Sequence, residues 1–243
     1  MKALVYSHLY QRPGAEPERV AELRAMLNVW YEHLRGPGAF QGDVIVFSNV
    51  PGIERPGLTV LPYTNVPADP RRAHMHRVLC YHEVPTRMYD IAMQMDLDIL
   101  AVGDVATLFP TDERLWAARS QWRTLQWEHA WTLLPRWRRA LYRLSGWRMQ
   151  EIGVSACVVA SATSTWEKNF GAWARLIREH GDREPPIQAD QSFLNLLVLK
   201  RLVPVVRWPE ALIQHGDWDV ARGARLLHFP GRRKHDMPQY RLV

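Results

Sequence analysis

The chain has 243 residues, 47% apolar and 23% charged, with a net charge of +6. These proportions are ordinary for a water-soluble globular protein, and no run approaches the ~18 consecutive apolar residues of a membrane span. Cys80 and Cys157 are the only cysteines; both sit in apolar settings and form no metal or redox motif, so buried free thiols in a reducing, cytoplasmic compartment are expected.

Met1 to Ser7 is too short for a signal-peptide core, and Lys2 to Ser7 reads as a first strand. Pro13 and Gly14 break it, and Pro17 can open a helix. Val20, Leu23, Leu27, Trp30 and Leu34 recur at three- and four-residue steps, which predicts an amphipathic helix over Glu18 to Leu34. Gly36-Pro37-Gly38 stops it. Asp43 to Ser48 and Leu58 to Pro62 read as strands, and Arg71 to Val84 as a helix. Pro85 turns the chain into a strand from Tyr89 to Leu100. Further on, Ile152 to Ala160 reads as a central strand, Ser164 to His180 as a helix stopped by Gly181, and Asp190 to Lys200 as another helix. Val203 to Trp208 and Leu226 to Phe229 complete the strands. The alternation predicts an α/β fold with a largely parallel sheet. No internal repeat or low-complexity linker divides the chain, so residues 1–243 read as one domain.

Asp96 and Asp98 end the Tyr89 to Leu100 run. On a strand, with its period of two, both carboxylates project from one face. Their mutual repulsion favours a hard divalent cation between them, at the strand end where open α/β sheets bind ligands. Composition alone yields roughly 0.6 such pairs by chance, and Asp217-Trp-Asp219 is a second one. Two other stretches add to the first. Ala189-Asp-Gln-Ser-Phe-Leu-Asn195 places Asp190 and Gln191 at a helix start. In His228-Phe-Pro-Gly-Arg-Arg-Lys234, the imidazole can join two carboxylates around a manganese-like ion. Gly231 permits close backbone approach, and Lys234 offers a point charge to phosphate.

From Arg114 to Arg148 there are eight arginines, six of the eleven tryptophans and one acid, Glu128. Asp112 can cap a helix reaching about Leu134, with Trp116, Trp127 and Trp131 on one face. After Pro135, a second helix to about Gly146 groups Trp137, Leu141 and Leu144 away from Arg138, Arg139 and Arg143. Such a segment either packs its tryptophans in the core or meets an acidic or lipid-linked acceptor or an anionic membrane surface. Nucleic acid is not expected, because no binding motif for it appears.

The ordered set Met95-Asp-Leu-Asp-Ile-Leu100, Ala189 to Asn195 and His228-x-x-Gly231-x-x-Lys234 resembles glycosyltransferase family 8, which includes glycogenin-like and bacterial lipooligosaccharide galactosyltransferase-like enzymes. The resemblance runs from about Lys2 to Lys234, with about Asp112 to Glu151 unmatched. It implies a single GT-A-type, Rossmann-like domain with a mixed, mostly parallel central sheet and a helical Trp/Arg-rich insertion over about 112–151. It implies a metal-dependent transferase that moves a sugar from a nucleotide-diphosphate sugar, a UDP-sugar by resemblance, to a carbohydrate, lipid-linked or protein acceptor, with retention of anomeric configuration. Asp96, Asp98 and His228 would then ligate Mn2+ or Mg2+, while Gly231 and Lys234 hold the diphosphate. Arg77 resembles the family's basic residue upstream of the metal motif. Asp190 and Gln191 would face the sugar and the reacting carbon, and Ser155 and Ala156 would lie beside the donor sugar. The chain departs from the pattern in three places: His235-Asp236 follows Lys234, Val154-Ser155-Ala156 replaces an Asn-x-Gly strand motif, and Tyr6-Ser7-His8 lacks an acidic or asparagine residue that reads the base. The competing reading is a non-catalytic module, a degenerate transferase, that docks on an anionic membrane or acidic partner through the Trp/Arg segment.

Overall fold

The computed structural model describes residues 1–119, 133–144, 153–181, 189–215, 223–229 and Met237. Strand β1 (Ala3–Leu9), helix α1 (Pro17–Arg35), strands β2 (Asp43–Ser48) and β3 (Thr59–Pro62), helix α2 (Pro70–Leu79), and strands β4 (Ile91–Met95) and β5 (Ile99–Ala101) form the first half. Strand β6 (Leu115–Arg119), helix α3 (Arg136–Leu144), strand β7 (Val154–Ala162) and helices α4 (Trp166–His180) and α5 (Ala189–Lys200) follow. Three short strands close the chain: β8 (Val205–Arg207), β9 (Ile213–His215) and β10 (Leu226–His228).

Local sequence explains these elements. In α1, Leu23, Met26, Leu27, Trp30 and Leu34 make a buried stripe, Pro17 occupies the first turn, and Gly36 ends the helix. The Asp69 carboxylate accepts the backbone N–H groups of Arg71 and Arg72 and so caps α2. That helix is shorter than the expected Arg71 to Val84, because the chain tightens into a 3-10 turn at Tyr81–Glu83 ahead of Pro85.

Seven strands form the main sheet in the order β3-β2-β1-β4-β7-β6-β8. All neighbours are parallel except β7, which runs antiparallel to both β4 and β6. The fold is therefore α/β with a mixed, mostly parallel sheet, as the alternation of elements predicts. Strand residues alternate between two apolar layers. Leu4 and Tyr6 of β1 pack with Val78, Trp173 and Leu194 from α2, α4 and α5, whereas Val5 packs with Leu27 and Trp30 of α1. A second sheet, β5-β10-β9, joins the α1 side.

Two expectations are overturned. The run from Tyr89 to Leu100 is not one strand: β4 ends at Met95, the chain turns, and β5 resumes at Ile99 in the other sheet. Asp96 and Asp98 thus lie in the connection, where strand alternation no longer fixes their direction. The stretch after Asp112 is not helical, because Leu115–Arg119 is a strand inside the main sheet. Its apolar residues obey a period of two: Leu115 and Ala117 enter one layer, while Ala118 and the flank of Trp116 enter the other. The Asp112 carboxylate accepts the Arg114 backbone N–H and the Trp116 indole, fixing the turn that precedes the strand. Trp127 and Trp131 lie outside the described residues, and of the expected insertion only α3 is described as helix. Strand β9 had no counterpart in the sequence reading.

Candidate functional site

Chain order β1-β2-β3 proceeds outward on one side of β1, and β4 then pairs on its other side. At the carboxyl ends of the parallel strands β1 and β4 the order of strand connection reverses, which opens a crevice in folds of this kind. A cleft of about 660 Å³ occupies that position, lined among others by His8, Tyr10, Arg12, Arg77, Asp96 and Asp98.

Backbone pairing places the two aspartates. The Asp96 N–H donates to the Cys157 carbonyl at 2.8 Å, extending the β4–β7 ladder by one residue, and the Ile99 N–H closes a turn on the Asp96 carbonyl at 3.2 Å. Beyond this turn β5 pairs with β10 in the register Leu226↔Ala101, Leu227↔Leu100, His228↔Ile99. The Phe229 N–H then donates to the Asp98 carbonyl at 2.8 Å. This register brings His228 Nε2 to 3.6 Å from Asp98 Oδ1, with side-chain exposures of 10% and 5%. The two side chains come from segments about half the chain length apart.

Asp96 is committed differently. Arg77, on α2, directs its guanidinium between two carboxylates. Its Nε donates to Asp190 Oδ2 at 2.6 Å, a second nitrogen lies 2.5 Å from the same carboxylate, and the third donates to Asp96. The fork also reaches the Ala156 carbonyl at 3.4 Å. Burial opposes the charge on Arg77, but Asp190 and Asp96, by charge and by hydrogen bond, outweigh it and raise the guanidinium pKa above its ordinary value.

Helix α5 supplies the acidic end of this network. Trp173 Nε1 holds the Asp190 carbonyl at 3.0 Å. Ala189 has a φ of 37°, a left-handed backbone that a non-glycine residue adopts only where its surroundings impose it. Gln191 Oε1 accepts the Ser155 hydroxyl at 3.0 Å. Deeper in the helix, Asn195 acts as a surrogate strand: its amide oxygen takes the Val154 N–H at 2.9 Å and its NH2 donates to the Val154 carbonyl at 2.8 Å. This pair of hydrogen bonds fixes α5 against β7 and so helps to position Asp190 and Gln191 at its start.

Six of the residues singled out from sequence therefore form one connected group: Arg77, Asp96, Ser155, Ala156, Asp190 and Gln191. Asp98 and His228 form a second group beside it. Gly231 and Lys234 lie outside the described residues.

The donor set can be tested for a divalent cation. Asp98 and His228 offer a carboxylate oxygen and an imidazole nitrogen at a separation too long for a hydrogen bond but within the span of two ligands sharing one ion. Asp96 lies two residues away, engaged by Arg77. Among the described residues no group of three His, Cys, Asp or Glu converges as a preformed cage. The fit is to two ligands in place, with a third available if Arg77 yields it. Cysteine chemistry has little to offer here: burial pushes the Cys80 thiol up to about 12 and, with help from the Asp96 charge, Cys157 higher still.

Sequence reading noted His8 only as a departure from a family pattern, yet it caps β1 at the cleft. Its ring stacks on Phe47 with centroids 5.1 Å apart and tilts against Tyr63 at 5.0 Å. Burial, then the Arg77 and His76 charges, hold its pKa well below the ordinary value. Its Nδ1 is buried without a hydrogen-bond partner. The signal was available: His8 is a polar side chain at the very end of an apolar strand. Because the unfolded imidazole takes up a proton below about pH 6.5 and the folded one does not, stability from this residue is present above that pH and is lost as pH falls below it. The slope should approach about 1.4 kcal/mol per pH unit. Denaturant titrations of wild type and His8→Phe between neutral and mildly acidic pH should show a shallower dependence in the variant. Parallel curves would remove His8 from this account.

No family model fits the chain and no curated protein aligns with it. The functional reading therefore rests on the residues and their geometry.

Proposed function

We propose that the cleft is the donor site of a metal-dependent glycosyltransferase, taking a sugar from a nucleotide-diphosphate sugar, with UDP as nucleotide and Mn2+ or Mg2+ as cofactor. The observation that carries this reading is the meeting of His228 with Asp98, a residue that lines the β1–β4 cleft. A carboxylate and an imidazole from distant segments, both nearly buried, are an expensive pairing unless a ligand uses them.

The residues divide the work by position. Asp98 and His228 would hold the cation, with Asp96 beside them. The cation, when bound, neutralises charge that builds on the departing diphosphate. Arg77 orients the Asp96 and Asp190 carboxylates and presents a fixed positive charge to the cleft. Arg12 and Arg19 add two further cations to the lining and suit an anionic ligand. Asp190 and Gln191, at the start of α5 and tied to the cleft through Arg77, would stabilise developing positive charge at the sugar carbon. His8, held neutral and in an aromatic setting, offers a flat surface for a base at the end of β1.

Thermal melts test this reading. UDP with Mn2+ near a hundred times Kd should add about 2.7 kcal/mol, read as a rise in Tm of roughly 5–10 °C for a chain of this size. UDP alone should give a small fraction of that shift. Absence of any shift with UDP, GDP, ADP or CDP in the presence of Mn2+ would remove the donor-site assignment.

A further inference from the structure

Helix α3 carries a feature that the transferase reading leaves unused. At about 100° per residue, Trp137, Leu141 and Leu144 fall on one stripe, and all three face solvent, with exposures of 60%, 56% and 83%. Large apolar side chains displayed together on one helix face mark an interaction surface. Arg136 and Arg143 flank the stripe on one side and Arg138 on the other. The Arg138 guanidinium lies 5.3 Å from the centroid of the Trp137 ring. No acidic residue occurs in the helix.

The stripe cannot turn inward. Tyr142, on the opposite side, donates its hydroxyl to the Leu199 carbonyl of α5 and packs on the core, and Leu134 before the helix is buried. Helix α3 is thus clamped by its inner face with its apolar face outward.

We infer that α3 is an interfacial helix that seats the protein on an anionic membrane surface, with Trp137, Leu141 and Leu144 entering the headgroup boundary and Arg136, Arg138 and Arg143 contacting lipid phosphates. Charge complementarity selects this occupant. A second copy of the chain would bring two arginine rims face to face, a like-charge arrangement that opposes a two-fold interface. A bilayer rich in anionic lipid satisfies both parts at once, because tryptophan settles at the polar–apolar boundary and arginine stems lie along apolar surface while their heads reach phosphate. The clamp also sets the consequence. Leu199 lies near the far end of α5, roughly 14 Å along its axis from Asp190, whose partner Arg77 lines the cleft, so a membrane under α3 would lie within reach of the cleft for a lipid-linked acceptor. This inference stands on α3 alone and survives if the donor-site reading fails.

Flotation with phosphatidylcholine vesicles, with and without a minor fraction of phosphatidylglycerol, tests it. Binding is expected to the mixed vesicles only and should weaken as salt rises. Replacing Arg136, Arg138 and Arg143 with Ala should reduce affinity by about fivefold each, on the order of a hundredfold together. Replacing Trp137, Leu141 and Leu144 with Ala should cost at least about tenfold while leaving the thermal transition in place, because the removed atoms are exposed. If the arginine variant loses its melting transition, the Arg→Gln set supplies the measurement. Equal affinity of either triple variant and wild type would overturn the inference. So would binding to a purified protein partner or a stable dimer that the apolar variant abolishes, with no affinity for the mixed vesicles.

Discussion

Arg77→Met is expected to destabilise the protein by about 3–5 kcal/mol, the usual consequence of removing one partner from a buried ion pair. For a chain of this length that is a fall in Tm of roughly 10 °C or more. Asp190 has a side-chain exposure of 6% and Asp96 of 22%, so the variant would strand one almost fully buried charge and one partly buried charge. The two differ in how well water can compensate, which gives a second measurement. Adding Asp190→Asn to Arg77→Met removes the more costly orphan and should recover a large part of the loss, whereas adding Asp96→Asn should recover less. Arg77→Lys keeps the charge but not the planar fork that serves both carboxylates, and should fall between wild type and the methionine variant. A Tm for Arg77→Met within about 2 °C of wild type would mean that the guanidinium is not what holds α2, α5 and the β4–β5 turn together.

Asp98→Asn is the variant with the largest expected effect on chemistry. The substitution keeps side-chain shape and removes the negative charge, so the fold should persist, while the cation loses its most deeply buried ligand. Loss of metal-assisted charge stabilisation, worth several kcal/mol, predicts a fall in sugar transfer on the order of a thousandfold. The Tm rise produced by UDP with Mn2+ should shrink to that of UDP alone. Asp96→Ala should also abolish the metal-dependent rise, but it would in addition release Arg77 and lower the Tm of the unliganded protein. This contrast separates a residue that serves the cation from one that also serves the scaffold. An undiminished shift in Asp98→Asn would sink the metal assignment outright.

Much of the sheet was legible from local pattern. β2 is found over the residues that its apolar run marks, and the stripe from Leu23 to Leu34 sets α1 to within a residue or two. Pattern failed where an element is defined by its neighbours. The apolar run through Asp96 looks continuous because both of its halves are buried, yet they belong to different sheets, and only the pairing of β5 with β10 divides them. Leu115–Arg119 contains Trp and Ala at spacings that also suit a helix; its place beside β7 makes it a strand. At the site, sequence could nominate Asp96, Asp98, Asp190 and His228 separately. That Arg77 would sit between Asp96 and Asp190 depends on α2 lying over the end of β4, which no local pattern encodes. The amide of Asn195 had the least visible role: it completes the hydrogen bonding of Val154 by imitating a backbone.

The short β10 strand has a consequence for assembly of the protein. It pairs with β5 across about half of the chain length, whereas β1 to β4 close among themselves over shorter separations and are complete before Leu226 is reached. Loop closure on that scale comes late, because its entropic cost must be met before the contacts it enables can form. During synthesis the β1–β4 half, with Asp96 and Arg77, can order while Leu226–His228 is still being made. The Asp98–His228 pair then forms only when the last strand docks. A nascent or C-terminally truncated chain would keep its sheet but lack half of its proposed cation site, so metal-dependent protection in a series of truncations would report the docking of three residues.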